Sequence, residues 1–179
     1  MLEIETDIEE AYDAISDHCN EQIQENDTIL TIGYSSTVLE LFKDASRTCK
    51  FTAVVAEGSP GNSGKTMQRK LSKEGINTIL IADTSVFSYM SKISKIIIST
   101  RAIMADGGLI TDSGVELVIL AADYHTVPVI VVSALYKLTP LYPFDNTTYN
   151  KFISPEAVLN NKGCESREKI DVIVGYLVG

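Results

Sequence analysis

The chain has 179 residues, 45% hydrophobic and 22% charged, with a formal net charge of −9. That length suits one domain with a core of its own, and that composition excludes disorder as the dominant state. An acidic chain repels phosphate backbones, so no direct nucleic-acid binding is expected.

The acidity is uneven. Residues 1–27 hold ten acids and no Lys or Arg, while the remainder carries 14 acids and 15 bases. Within 6–24, Ile8, Tyr12, Ile15, Cys19 and Ile23 recur at helical spacing, and Thr6 with Glu9 forms a capping box. We therefore expect an acidic N-terminal helical segment over 1–27, ahead of a domain over 28–179. Its charged face is either solvated or turned toward a basic partner surface.

From residue 28 the rhythm changes. Apolar runs at 28–32 (TILTI), 51–56 (FTAVVA), 78–82 (TILIA), 95–99 (KIIIS) and 127–132 (VPVIVV) read as strands. Between them lie helical patterns. One starts at Ser36 or Thr37 and carries Val38, Leu41, Phe42 and Ala45; others cover 65–73, a short stretch from Asp83 or Thr84, and 114–124. Asp106-Gly107-Gly108 marks a turn in a small hairpin between 102–105 and 109–111. The strands are near-continuous β-branched runs, the pattern of strands buried on both faces, separated by βαβ spacing. The expected fold is α/β: a Rossmann-like, doubly wound, mainly parallel sheet preceded by an N-terminal helix. Its ligand crevice should lie beyond the C-terminal ends of the strands.

Residues 127–136, the longest apolar stretch, contain Pro128 and Ser133 and reach half of the ~20 residues a membrane span needs. With no basic or apolar leader, neither a signal peptide nor a membrane partner is expected. Beyond residue 138 the pattern loosens, and the final VIVGYLVG predicts a fragment of a longer chain. Tyr136, Leu138, Leu141, Tyr142 and Phe144, with the terminal run 172–178, are candidate interface residues. The alternative is that both stretches fold back as a C-terminal subdomain.

Chemistry-bearing patterns are sparse. Cys19, Cys49 and Cys164 form no CxxC pair, and His18 and His125 are the two histidines. This argues against a disulfide framework and a metal site, and for a reducing compartment. The loop GSPGNSGKT (58–66) follows a strand and opens a helix, as a P-loop does. The pattern GxxxxGK[ST] would place its first glycine where Ser59 stands, and Pro60 removes an amide from the cradle. The alternatives are a nucleotide cradle and a tight strand-to-helix connection. No cofactor is expected.

Five segments in order carry a resemblance: TILTIGYSSTVLELF (28–42), VVAEGSPGNSGKTMQRKLSKEGI (54–76), IADTSVFSYMSKISKIIISTRAIMADGGLI (81–110), GVELVILAADYHTVPVIVVSALYKLTP (114–140) and FISPEAVL (152–159). Together the chain resembles the family that joins the alpha, beta and delta regulatory subunits of eukaryotic translation initiation factor 2B to the methylthioribose-1-phosphate and ribose-1,5-bisphosphate isomerases. STRAIMADGG and LYKLTPLYP are most like the beta branch. The resemblance implies that Gly33 stands where the isomerases place a catalytic cysteine and Arg101 where they place a catalytic aspartate. Thr111 and Asp112 replace a substrate-holding Asn-Lys pair. Ser59 replaces an arginine in a loop that keeps Glu57, Pro60 and Gly64. A proton shuttle between neighbouring carbons needs a titratable group in reach. Gly33 has none, and Arg101 holds its proton at neutral pH.

The resemblance therefore implies no catalytic residues and a degenerate pocket of Gly33, Tyr34, Ser35, Glu57, Ser59, Arg101, Asp106 and Asp112. It implies a non-catalytic cytoplasmic regulatory subunit, partnered by the other subunits of factor 2B and by the alpha subunit of initiation factor 2. A sugar-phosphate isomerase-like pocket protein and a P-loop-like nucleotide binder are the alternatives.

Overall fold

The computed structural model describes residues 22–142, together with the backbone of three short strands further on. In chain order the elements are β1 (Thr28–Ile32), α1 (Ser36–Thr48), β2 (Thr52–Ala56), α2 (Gly64–Lys73), β3 (Asn77–Ile81), α3 (Val86–Tyr89), β4 (Lys95–Ser99), β5 (Ala102–Ile103), β6 (Leu109–Thr111), α4 (Val115–His125), β7 (Val129–Val132), β8 (Phe152–Ile153), β9 (Val172–Ile173) and β10 (Tyr176–Val178).

Successive side chains of a strand face opposite sides of a sheet, and the five main strands use both sides. Ile29, Ala53, Val55 and Ile97 pack on Val38, Leu41 and Phe42 of α1 and on Met67 and Leu71 of α2. Their neighbours Leu30, Val54, Ala56, Ile96 and Ile98 pack on Val86, Met90, Val115, Val118 and Ala122 on the other side. Continuous β-branched runs are what this two-sided burial requires. The sheet order is β3-β2-β1-β4-β7, and every pair is parallel. The chain winds outward from β1 in one direction and then resumes at β4 on β1's other side. The order thus reverses between β1 and β4, and there the crevice opens.

The expected doubly wound parallel sheet is the one observed, with small shifts. β3 begins and ends one residue earlier than the apolar run. β7 starts at Val129 because Thr126 takes the left-handed conformation that ends α4 (φ 54°), and the Val127 amide closes the helix on Ala122 O at 2.9 Å. The hairpin forms as expected, with Met104 N–H on Gly108 O at 2.8 Å. β10 adds to it, pairing antiparallel with β6, and β8 pairs with β9. This corrects the reading of the terminal run 172–178 as a free surface, since its backbone completes sheets within the chain.

Residues 22–24 form a turn and irregular backbone, so the N-terminal helix does not extend to residue 24 as the periodicity suggested; the rest of that segment lies outside the described residues. Ile23 is already part of the core. Lys95 closes this end of the sheet, bonding Gln22 O and pairing with Asp27 at 2.8 Å. No helix among the described residues is long and apolar enough to cross a membrane.

Candidate functional site

Three strand ends build the crevice. At the end of β1 the chain turns through Gly33 at φ +65°, a conformation that favours glycine. A Cβ there would also stand 3.1 Å from Ser63 Oγ. Position 33 is therefore shaped for the absence of a side chain, and a nucleophile at that point would have to change the backbone. Ser35 follows as the cap of α1, its hydroxyl accepting the Val38 amide at 3.3 Å.

At the end of β4, buried Thr100 places its hydroxyl 2.7 Å from Ala102 O and 2.9 Å from Ile110 O, tying the strand to the hairpin. Arg101 follows, and its guanidinium forms an ion pair with the Asp112 carboxylate just past β6. Lys137 Nζ donates to Thr100 O at 2.8 Å.

At the end of β2 the loop of residues 57–63 would be the phosphate cradle of a P-loop, but its amides are already engaged. Asp83, at the end of β3, accepts the Gly58 N–H on Oδ1 at 2.9 Å and the Ser59 N–H on Oδ2 at 2.6 Å. Lys65 lies 3.8 Å from Glu57. Gly64 is the close-approach point, because a Cβ there would stand 2.3 Å from Ala56 O. Ser113 Oγ donates to Ser59 O at 2.8 Å and ties this loop to the start of α4. The loop is a tight connection whose anion is the protein's own carboxylate.

Two adjoining cavities occupy the crevice, of about 420 and 330 Å³. Tyr34, Arg101 and Asp112 line both; Ser35 and Lys137 line the larger, and Gly33 and Ser59 the smaller. The structure thus gathers Gly33, Tyr34, Ser35, Ser59, Arg101 and Asp112. Glu57 stands at the loop base with Lys65. Asp106 lines neither cavity: it sits in the hairpin turn, where Oδ1 accepts the Gly108 amide at 3.0 Å. Asp83, Lys137 and Ser113 were not anticipated from the sequence. The positive helix end of α1, Arg101 and Lys137 all face the larger cavity, yet Asp112 offsets the arginine at its mouth. Among the described residues no group of His, Cys, Asp and Glu side chains is arranged to hold a metal ion.

The candidate interface residues are exposed: Tyr136 63%, Leu138 57%, Leu141 50% and Tyr142 66%, with Phe144 outside the described residues. Their backbone is nonetheless held, through Thr139 N–H on Ile103 O at 2.8 Å and Ala105 N–H on Leu141 O at 3.1 Å. A second apolar surface, on α3 and α4, was missed. The signal was present in VELVILAADY, a helical segment apolar on more than one face.

Comparison with known proteins follows this geometry. The family model described as "Initiation factor 2 subunit family" matches residues 2–175. Translation initiation factor eIF2B subunit beta of Dictyostelium discoideum is 41% identical over 168 residues, covering 94% of this chain and 43% of the relative. The beta subunit of Schizosaccharomyces pombe is 40% identical over 146 residues, covering 80% and 37%. The delta subunit of Dictyostelium discoideum is 27% identical over 157 residues, covering 87% and 25%. The chain thus spans less than half the length of these relatives. Among solved structures, the Pyrococcus horikoshii OT3 translation initiation factor eIF-2B superposes with a TM-score of 0.85 at 25% identity, covering 99% of this chain and 62% of that one. A chain of the tetrameric eIF2B-beta2-delta2 complex from Chaetomium thermophilum gives 0.70 at 30% identity, covering 79% and 48%.

Proposed function

The chain belongs to the initiation factor 2 subunit family, and from that premise we propose that it is a non-catalytic, beta-type regulatory subunit of the exchange factor for translation initiation factor 2. It acts in the cytoplasm by assembling with the other subunits of that factor and by helping to sense the phosphorylated alpha subunit of factor 2. The observation that carries the reading is the Arg101–Asp112 pair beside side-chain-free Gly33. An isomerase needs an acid or base within reach of its substrate at this crevice; here an arginine and an aspartate neutralise each other. Identity of about 40% to beta subunits against 27% to a delta subunit supports the beta assignment.

The test uses the full-length chain, tagged and purified from its own cells. The other exchange-factor subunits should co-purify in stoichiometric amounts, and the purified chain should not turn over methylthioribose 1-phosphate or ribose 1,5-bisphosphate. Purification without those subunits, together with turnover lost on substitution of Arg101, would replace this reading with the isomerase one.

A further inference from the structure

α4 presents two apolar faces. The inner one, with Val115, Val118 and Ala122, is buried against the sheet. The outer one carries Leu117, Leu120 and Tyr124 at i, i+3 and i+7, exposed by 46%, 64% and 74%. With Phe87 of α3, itself 49% exposed, they line a groove of about 560 Å³ in which Glu116 is the one charged lining residue. The rings of Phe87, Tyr124 and His125 lie 5.1–5.2 Å apart, centroid to centroid, so one wall is already set by aromatic contacts. An apolar groove with anchors at this spacing is the geometry that receives an amphipathic helix, and a preset wall lowers the ordering cost of binding.

Charge decides which helix. Glu116 and Asp123 are exposed on this side of α4, and neither has an ion-pair partner among the described residues. A second copy of the chain would pair isologously. In an antiparallel twofold centred on Leu120, residue 117 faces 123 and residue 116 faces 124. Each carboxylate would then be pressed against Leu117 or Tyr124 with no cation near, a costly burial. A helix with Lys or Arg at those flanking positions removes the penalty. We infer that the outer face of α3 and α4 docks an apolar helix of a non-identical family relative, flanked by basic residues, in preference to a second copy of this chain. The assignment rests on the assembly reading above and names the face and the partner chemistry.

The experiment co-expresses the full-length chain with a delta-type relative from the same genome. Leu120→Asp should cut the co-purified relative by about tenfold or more, with the thermal midpoint of the isolated chain unmoved. Glu116→Lys with Asp123→Lys, which leaves the apolar anchors intact, should also weaken hetero-pairing. It should increase self-association in analytical ultracentrifugation. If the wild-type chain captures the relative and both variants capture it equally well, this face is not the interface, although the assembly reading stands. A midpoint that collapses in Leu120→Asp, with hetero-pairing unaffected by the charge reversal, shows that the chain's own remaining segments cover the face and overturns the proposal. A wild-type chain that captures no relative overturns the assembly reading and this inference with it.

Discussion

Asp27 and Lys95 meet at 2.8 Å where β1 and β4 begin, with both side chains largely buried. Burial alone would raise the Asp27 pKa, but the Lys95 ammonium, the Gln24 amide and the Ser94 hydroxyl together hold it below the usual carboxylate value. A carboxylate depressed on folding contributes stability that is complete above its unfolded value of about 3.9, and that fades as the pH falls through the lower folded value. Asp27→Asn should therefore cost about 2–3 kcal/mol at pH 7, where it leaves the lysine without its counter-ion. The cost should shrink as the pH drops below about 4, because the wild-type carboxyl is then protonated too. Urea midpoints of both proteins at pH 7 and pH 3 check this, and a difference independent of pH would remove the ion pair as the cause.

At the scale of elements, the junction of β2 with α2 depends on one contact. Gly64 lets the helix start within van der Waals reach of the strand's last carbonyl, and a methyl group there would stand 2.3 Å from Ala56 O. Gly64→Ala should destabilise by about 3 kcal/mol or more, because backbone rather than a flexible side chain must give way. Gly61→Ala serves as a control, since a Cβ there meets nothing within 4 Å; equal denaturant midpoints for the two variants would refute the packing argument. This junction also shows how far the sequence could be read. The strands were legible because two-sided burial writes itself as uninterrupted Ile, Val and Leu. The crevice residues that immediately follow a strand, such as Gly33 and Arg101, were legible from topology together with the family resemblance. Asp83 was not, because its partners Gly58 and Ser59 lie some 25 residues upstream and the contact is made by backbone amides, which leave no residue-type signature. Lys137 was missed for the same reason: its acceptor is the main chain of Thr100. Asp106 failed in the opposite sense, since its short side chain satisfies a local turn instead of reaching the cavity.

For the molecule as a whole, the sheet order places both candidate anion sites, the 58–66 loop and the mouth of the β1–β4 crevice, on one side. Each is already occupied from within, by Asp83 and by Asp112. The protein should therefore be indifferent to nucleotides. Millimolar magnesium ATP or GTP should move its thermal midpoint by less than about 1 °C, because a ligand that does not bind the native state does not stabilise it. Lys65→Ala should change stability by no more than about 0.5 kcal/mol, as its contact with Glu57 is partly exposed and long. A shift of several degrees that disappears in Lys65→Ala would restore a nucleotide-binding role to the loop.

The Asp83 carboxylate can also be regarded as a tethered competitor. Held by its own chain, it faces the Gly58 and Ser59 amides at an effective concentration of roughly millimolar or above, and it never diffuses away. A free phosphate group arriving at the loop must displace a rival that is always present and whose concentration does not follow the metabolic state of the cell. A fold of the kind that elsewhere reports on small phosphorylated molecules is thereby insulated from them. The signals left for this domain to register are those delivered to its outer surfaces by other proteins.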